Sequence, residues 1–185
     1  MDAFFCMAAF LGTYVLLGKL SKSRSICFNF PLAYFHRWYR LIPTLAFVTL
    51  LIMYIFPYLP QGPVSPTFYF LNVPACNKYW WPNFLFINNF YPWELNSACI
   101  GQVWYLANDY QFFFITPFLL MLMRLHKQIA YSVNILLVLL SIMSSLVITY
   151  HYQIYAPNFS GNWSDDYYNK PYCRLAAYMV GVLLA

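Results

Sequence analysis

Charge is what this 185-residue chain has least of: ten Lys and Arg with five Asp and Glu make up 8% of it. A water-soluble domain carries roughly 25% charged residues. With 62% of the residues hydrophobic and 23% aromatic, too little polar surface remains to cover a globule in water. Familiar chemical motifs are missing as well. No Gly-rich phosphate loop, Gly-x-Ser-x-Gly elbow, HExxH or metal-ligand spacing occurs, so a soluble-type hydrolase or metalloenzyme is unsupported and no metal site is expected. The net charge of +5 does not mark a nucleic-acid binder, because the positive residues lie in gaps between apolar runs and form no basic domain of their own.

What the chain does have is long apolar stretches. A spanning helix needs about 20 residues. At bilayer depth only helices or closed barrels satisfy the backbone, and these runs are too long and continuous for barrel strands. Leu41–Leu59 and Tyr131–Tyr150 carry no charge, and Val103–Met123 carries one, Asp109. Ala3–Gly18 is uncharged but at the short limit, and Tyr172–Ala185 has Arg174 near its start and runs to the last residue. The expected fold class is all-α: a polytopic transmembrane helix bundle of four complete spans plus a truncated fifth. Its helices are expected at about 3–18, 41–59, 103–123, 131–150 and 172–185, within one transmembrane domain covering 1–185. Both ends fall within apolar runs, so the chain reads as a fragment of a longer protein. A signal peptide fits the N-terminus poorly, since Lys19, Lys22 and Arg24 follow the apolar run instead of preceding it.

The placement of charge predicts orientation. Lys19, Lys22, Arg24, Arg37 and Arg40 share one gap, and Arg124 and Lys127 another, and the positive-inside rule puts both in the cytosol. Loops 57–102 and 151–171 then face the exterior or a lumen. They hold Glu94, Asp165 and Asp166 but only Lys78 and Lys170. Asn158-Phe-Ser and Asn162-Trp-Ser are glycosylation sequons in the second of these loops. Cys76 and Cys99 share the first, where oxidation is permitted and a disulfide between them is expected; two free thiols, or a bond from either to Cys173, are the alternatives. Cys6 and Cys27 are expected to be reduced. The first exterior loop is rich in aromatics (Trp80, Trp81, Trp93, Phe84, Phe86, Phe90, Tyr91) and in prolines that exclude a long regular helix. It reads as a loop lying against the headgroups or as a lid over the bundle mouth.

Three places carry possible chemistry. Arg37 and Arg40 are three apart, so on a helix they share a face and present two guanidiniums to phosphate or carboxylate; basic residues at a cytosolic helix end also serve simply as a topogenic signal. His36 beside them is a possible base, or an interfacial histidine. Asp109 lies about 9 Å into its helix at 1.5 Å per residue, where ionisable groups are costly and commonly line a cavity or relay. Asn108 and Gln111 add polar groups to the same turn, and Tyr105 at i−4 brings its hydroxyl within reach. The bland counterpart is a polar clasp between helices.

The segment Trp104-Tyr-Leu-Ala-Asn-Asp-Tyr-Gln-Phe112 resembles the hallmark of the nose-resistant-to-fluoxetine proteins, the animal branch of the acyltransferase 3 family of multipass membrane acyltransferases. The resemblance continues through Phe35-His-Arg-Trp-Tyr-Arg-Leu-Ile-Pro43, through Asn83–Pro92 with its Ile-Asn-Asn-Phe-Tyr-Pro core, through Lys170–Tyr178 and at Asp2-Ala-Phe-Phe. It implies a bundle of about ten helices and transfer of an acyl group, other than amino-acyl, from an acyl-CoA-type co-substrate to a hydroxyl on a small-molecule or lipid acceptor, with no bound cofactor. Arg37 and Arg40, with His36, match the family's donor-binding side, and Trp104, Tyr105, Asn108, Asp109 and Gln111 match the hallmark on the opposite side. The family's catalytic histidine lies on a helix ahead of this region, so the resemblance implies an enzyme for the full-length protein. Glycosylation and a disulfide would fit either the endoplasmic reticulum or the plasma membrane. The alternative from another class is a non-enzymatic transporter or lipid-handling protein, with Asp109 lining a polar path.

Overall fold

The computed structural model describes residues 2–22, 30–55, 58, 74–92, 98–152 and 167–185. All regular elements among them are helical: α1 (Asp2–Lys22), α2 (Phe30–Leu50) continuing as a π-turn over Leu51–Ile55, α3 (74–79), α4 (Trp81–Phe84), a 3-10 turn at Gly101–Val103 leading into α5 (Trp104–Leu125), α6 (Lys127–His151) and α7 (Pro171–Leu184).

Among the described residues three stretches are long and apolar enough to cross a membrane: Pro31–Ile55, Gly101–Leu125 and Lys127–His151, with mean hydropathies of 1.6, 1.2 and 2.2. Asp2–Gly18 and Pro171–Leu184 are apolar but shorter, so by length three complete spans stand where four and a partial fifth were expected. The helix expected at 41–59 begins instead at Phe30 and carries His36, Arg37 and Arg40 within it. Counting charge had placed the boundary after the last arginine, yet arginine is a good helix former and Pro31 suits a first turn, where its missing N–H costs nothing. Pro43 lies inside α2 and Pro117 inside α5, tolerable in lipid where neighbouring groups satisfy the freed carbonyls.

The surfaces of these helices identify their solvent. Only 11% of the apolar windows of α2 and α6 is buried. On α6, Leu136, Leu139, Leu140, Met143, Leu146 and Val147 are all more than half exposed. Leaving one such side chain in water forgoes about 1.5–3 kcal/mol, so faces of this size belong in a membrane. The α5 window, by contrast, is 44% buried.

By contacts the chain divides into two compact units, Met1–Leu32 with Asp109–Ala185, and Ala33–Asn108. In the first, α7 packs against both α1 and α6. Gly181 makes the α1 approach possible: a Cβ there would run into the Cys6 carbonyl oxygen and stand 2.8 Å from the Ala9 Cβ, the small-residue contact by which helices in lipid draw close. Phe112 stands between Phe5 (ring centroids 5.7 Å) and Tyr178 (5.2 Å), while the Thr116 and Tyr178 hydroxyls meet at 3.1 Å. Leu16 and Leu120 extend this core, with Leu17 and Met123 against them.

The α6–α7 seam is polar. Ser141 Oγ donates to the Tyr172 carbonyl (2.8 Å) and accepts from the Ala176 N–H (3.0 Å), Ser144 Oγ lies 2.9 Å from the same carbonyl, and Ser145 Oγ donates to the Cys173 carbonyl at 3.4 Å. Serines at positions 141, 144 and 145 share one helical face, and they clasp the first turn of α7 where a lipid-facing residue could offer nothing. At the same end the Arg174 Nη1 reaches both Asp2 oxygens (3.0 and 3.1 Å), its Nε donates to the Tyr168 carbonyl, and its guanidinium lies 4.7 Å from the Tyr168 ring.

Candidate functional site

The second unit holds the arginine pair and the asparagine-rich segment that follows it. Arg37 is half-buried, whereas Arg40 and His36 are exposed. The three-residue spacing of the arginines on α2 places both on one side of it. Between them Trp38 fixes this turn: its Nε1–H donates to the Phe84 carbonyl at 3.1 Å, and its ring lies 5.9 Å from that of Phe35. The arginine-bearing turn is therefore tied to α4 by a half-buried indole.

The stretch from Trp81 to Pro92 is a knot of tight turns. Pro82 opens α4, and backbone bonds then run from the Leu85 N–H to the Trp81 carbonyl (3.2 Å), from Phe86 to Asn83 (3.2 Å), from Ile87 to Pro82 (3.0 Å), and from both Phe90 and Tyr91 to Ile87 (2.9 and 3.0 Å). Phe86, fully buried, adopts φ +54°, an outlier for a bulky residue that surrounding structure must hold in place. Four asparagines associated with this knot are buried: Asn83 and Asn108 at 0% exposure, Asn89 at 2% and Asn88 at 3%. Asn89 Nδ2 donates to Asn108 Oδ1 at 2.5 Å, linking the knot to the first turns of α5. Rings pack around the same stretch, Tyr91 lying 5.6 Å from both Tyr79 and Trp81. The Cys76 and Cys99 sulfurs are joined in a disulfide that closes the segment between them, and Cys6 and Cys173 carry free thiols.

Of the hallmark residues, Trp104 and Asn108 are buried while Tyr105, Asp109 and Gln111 are half-buried. Tyr105 and Asp109 are one turn apart on α5, as their spacing required. The sequons at Asn158 and Asn162, the side chains of Lys19 and Lys22, and Arg24, Cys27, Trp93, Glu94, Asp165 and Asp166 lie outside the described residues. Among the described residues no three His, Cys, Asp or Glu come together as a metal site would require. Lys78, on α3, has its pKa raised above the usual lysine value by a hydrogen bond and charge interaction with Tyr79, over whose ring it lies at 5.0 Å. Asn108 was singled out from sequence, but its partner Asn89 and the buried amides of Asn83 and Asn88 were not. Their signal was a run of asparagines in an otherwise aromatic segment, where only burial distinguishes a ligand-facing amide from a turn former.

Comparison with known proteins extends over the whole chain. It is 28% identical, over 209 aligned positions covering 100% of it, to nose resistant to fluoxetine protein 6 of Caenorhabditis elegans. It is 23% identical over 92% of its length to regulator of hypoxia-inducible factor 1 of the same organism. The chain spans 25% and 38% of the lengths of these relatives. No family model matches it, and no solved structure matches it. The first similarity supports the nose-resistant-to-fluoxetine resemblance, and the long apolar helices agree with a place in a membrane.

Proposed function

We propose that this chain is part of an integral membrane O-acyltransferase that moves an acyl group, other than amino-acyl, from an acyl-CoA-type donor to a hydroxyl acceptor on or across the membrane. The observation that carries the proposal is the whole-chain similarity to nose resistant to fluoxetine protein 6, joined to a hallmark segment that forms the opening turns of α5, its Asn108 buried and bonded to Asn89. In the reaction the acceptor oxygen attacks the thioester carbonyl, the new C–O bond forms as the C–S bond breaks, the thiolate leaves, and a base takes the hydroxyl proton. Arg37 and Arg40, with His36 beside them, would hold the donor's phosphates at the cytosolic face by charge-assisted hydrogen bonds. The hallmark residues Trp104, Tyr105, Asn108, Asp109 and Gln111 would serve the acceptor side. The base would come from the histidine that the family places ahead of this region. Five membrane helices, α1, α2, α5, α6 and α7, with the arginines inside and Asn158 and Asn162 glycosylated outside, in the endoplasmic reticulum or plasma membrane, complete the proposal.

Half-burial of Asp109 in an apolar helix favours the competing role, a transporter or lipid-handling protein with a polar path. Incubating the purified full-length protein with labelled acyl-CoA separates the two. Label transferred covalently to an acceptor, together with at least tenfold weaker donor binding in Arg37→Ala/Arg40→Ala, supports acyl transfer. Vesicle uptake of substrate without covalent transfer, or unchanged donor affinity in the double variant, counts against it.

A further inference from the structure

Buried polar groups in folded proteins find hydrogen-bond partners, and each exception requires an explanation. In the second unit the exceptions concentrate in a few residues. Both side-chain polar atoms of Asn83 and both of Asn88, four in all, are buried with no hydrogen-bond partner among the described residues. The two residues are 0% and 3% exposed and belong to the same knot of turns, separated by the strained Phe86 at φ +54°. Asn89, next in the chain, is already committed to Asn108.

A carboxamide offers a donor and an acceptor together, so its complement is a group that both accepts and donates. Charge is disfavoured. Within 74–92 the one charged residue is Lys78, which is exposed and lies over the Tyr79 ring at 5.0 Å, so the knot's own residues supply no buried counter-charge to an anion or a cation. Water would satisfy the amides too, but water has no use for the neighbouring aromatic shelf. Trp81 and Tyr91, 38% and 47% exposed, pack ring to ring on the same knot, with Tyr79 against Tyr91, and offer an apolar face to a carbon skeleton. We infer that the knot around Asn83 and Asn88 is a binding site for an uncharged alcohol, its hydroxyls held by the two carboxamides and its carbon face by the rings of Trp81 and Tyr91. The site stands apart from acyl transfer, since such a ligand is recognised whether or not it is later acylated.

The test uses the purified full-length protein in lipid nanodiscs, with empty nanodiscs subtracted, and saturation-transfer NMR. The probes share one ring: trans-1,2-cyclohexanediol as the neutral alcohol, cyclohexylammonium as the cation and cyclohexanecarboxylate as the anion. The diol is expected to bind saturably and the ions at least tenfold more weakly. Asn83→Leu and Asn88→Leu are each expected to lower diol affinity at least tenfold. Asn134→Leu, which removes another buried amide oxygen, on α6, with no partner among the described residues, is expected to leave it unchanged. Should a leucine variant fail to fold, a dose-dependent rise in the melting temperature of the unmodified protein with the diol, and not with the ions, reads the same site. No saturable diol binding, equal binding of the charged probes, or full affinity in both leucine variants overturns the inference. So does a rise in melting temperature in those variants without any diol binding to the parent, the mark of amides that hold ordered water alone.

Discussion

The two compact units satisfy their buried polar groups in different ways. In the first, hydroxyls do the joining. Ser141, Ser144 and Ser145 reach the backbone of α7 and Thr116 meets Tyr178, each within 3.4 Å of its partner. Short hydroxyls on a helix can bond across a seam without opening it, and helix ladders take care of nearly all the rest of the backbone. In the second unit, turns replace long helices over 81–92, so more backbone must be satisfied locally, and carboxamides appear in place of hydroxyls. A carboxamide has four bonding positions to fill, and the knot fills those of Asn89 in part while Asn83 and Asn88 find no partner among the described residues. The lesson is that the two units are cross-linked by different means, one by hydroxyls across a helix seam and the other by a disulfide and a bond between carboxamides.

Breaking the cross-links should separate the two. The largest effect is expected from Cys76→Ser/Cys99→Ser: the bond closes a separation of 23 residues, worth roughly 3 kcal/mol by loop entropy. Thermal unfolding in detergent should show that loss, and limited proteolysis should cut first within 74–108 while the α1–α7 packing stays protected. Next comes Gly181→Val, whose added carbons collide with the Cys6 backbone and Ala9. Overpacking there is expected to cost about 1–3 kcal/mol, measured as a lower melting temperature with cysteine-reactive probes gaining access to Cys6. Ser141→Ala removes one donor and one acceptor from the α6–α7 seam and should cost about 1 kcal/mol, seen as faster amide exchange at Ala176. Smallest is Asp2→Asn. The Asp2 side chain is 55% exposed, and an exposed ion pair contributes roughly 0.2–1 kcal/mol. The difference from the parent should shrink as salt is raised from low to molar concentration, because exposed charges are screened. If that variant proved more damaging than Ser141→Ala, the idea of a seam held by hydroxyls would be wrong.

How much of this was legible in the chain depends on the range of the interaction. Apolar runs at 103–123 and 131–150 marked α5 and α6 to within a few residues, because continuous hydrophobicity in lipid leaves the backbone no alternative to a helix. The start of α2 was not legible, since arginines at 37 and 40 mark a change of solvent and not the end of a helix. The prolines at 74, 82 and 92 correctly signalled short turns in place of a long helix. The site was only partly visible. Arg37, Arg40 and the 104–111 segment stood out by charge and motif, whereas Asn89 bonding to Asn108, nineteen residues away, leaves no trace in local pattern.

Composition alone determined the solvent: a chain with 8% charged residues has too little polar surface for water, and the transfer free energy of its long apolar runs selects helices in lipid. Which side chains face each other was decided only by packing. Gly181 against Cys6, the serines on the first turn of α7, and the burial of Asn83 and Asn88 without partners among the described residues all depend on segments far apart in the chain being brought together, and local periodicity carries no information about that.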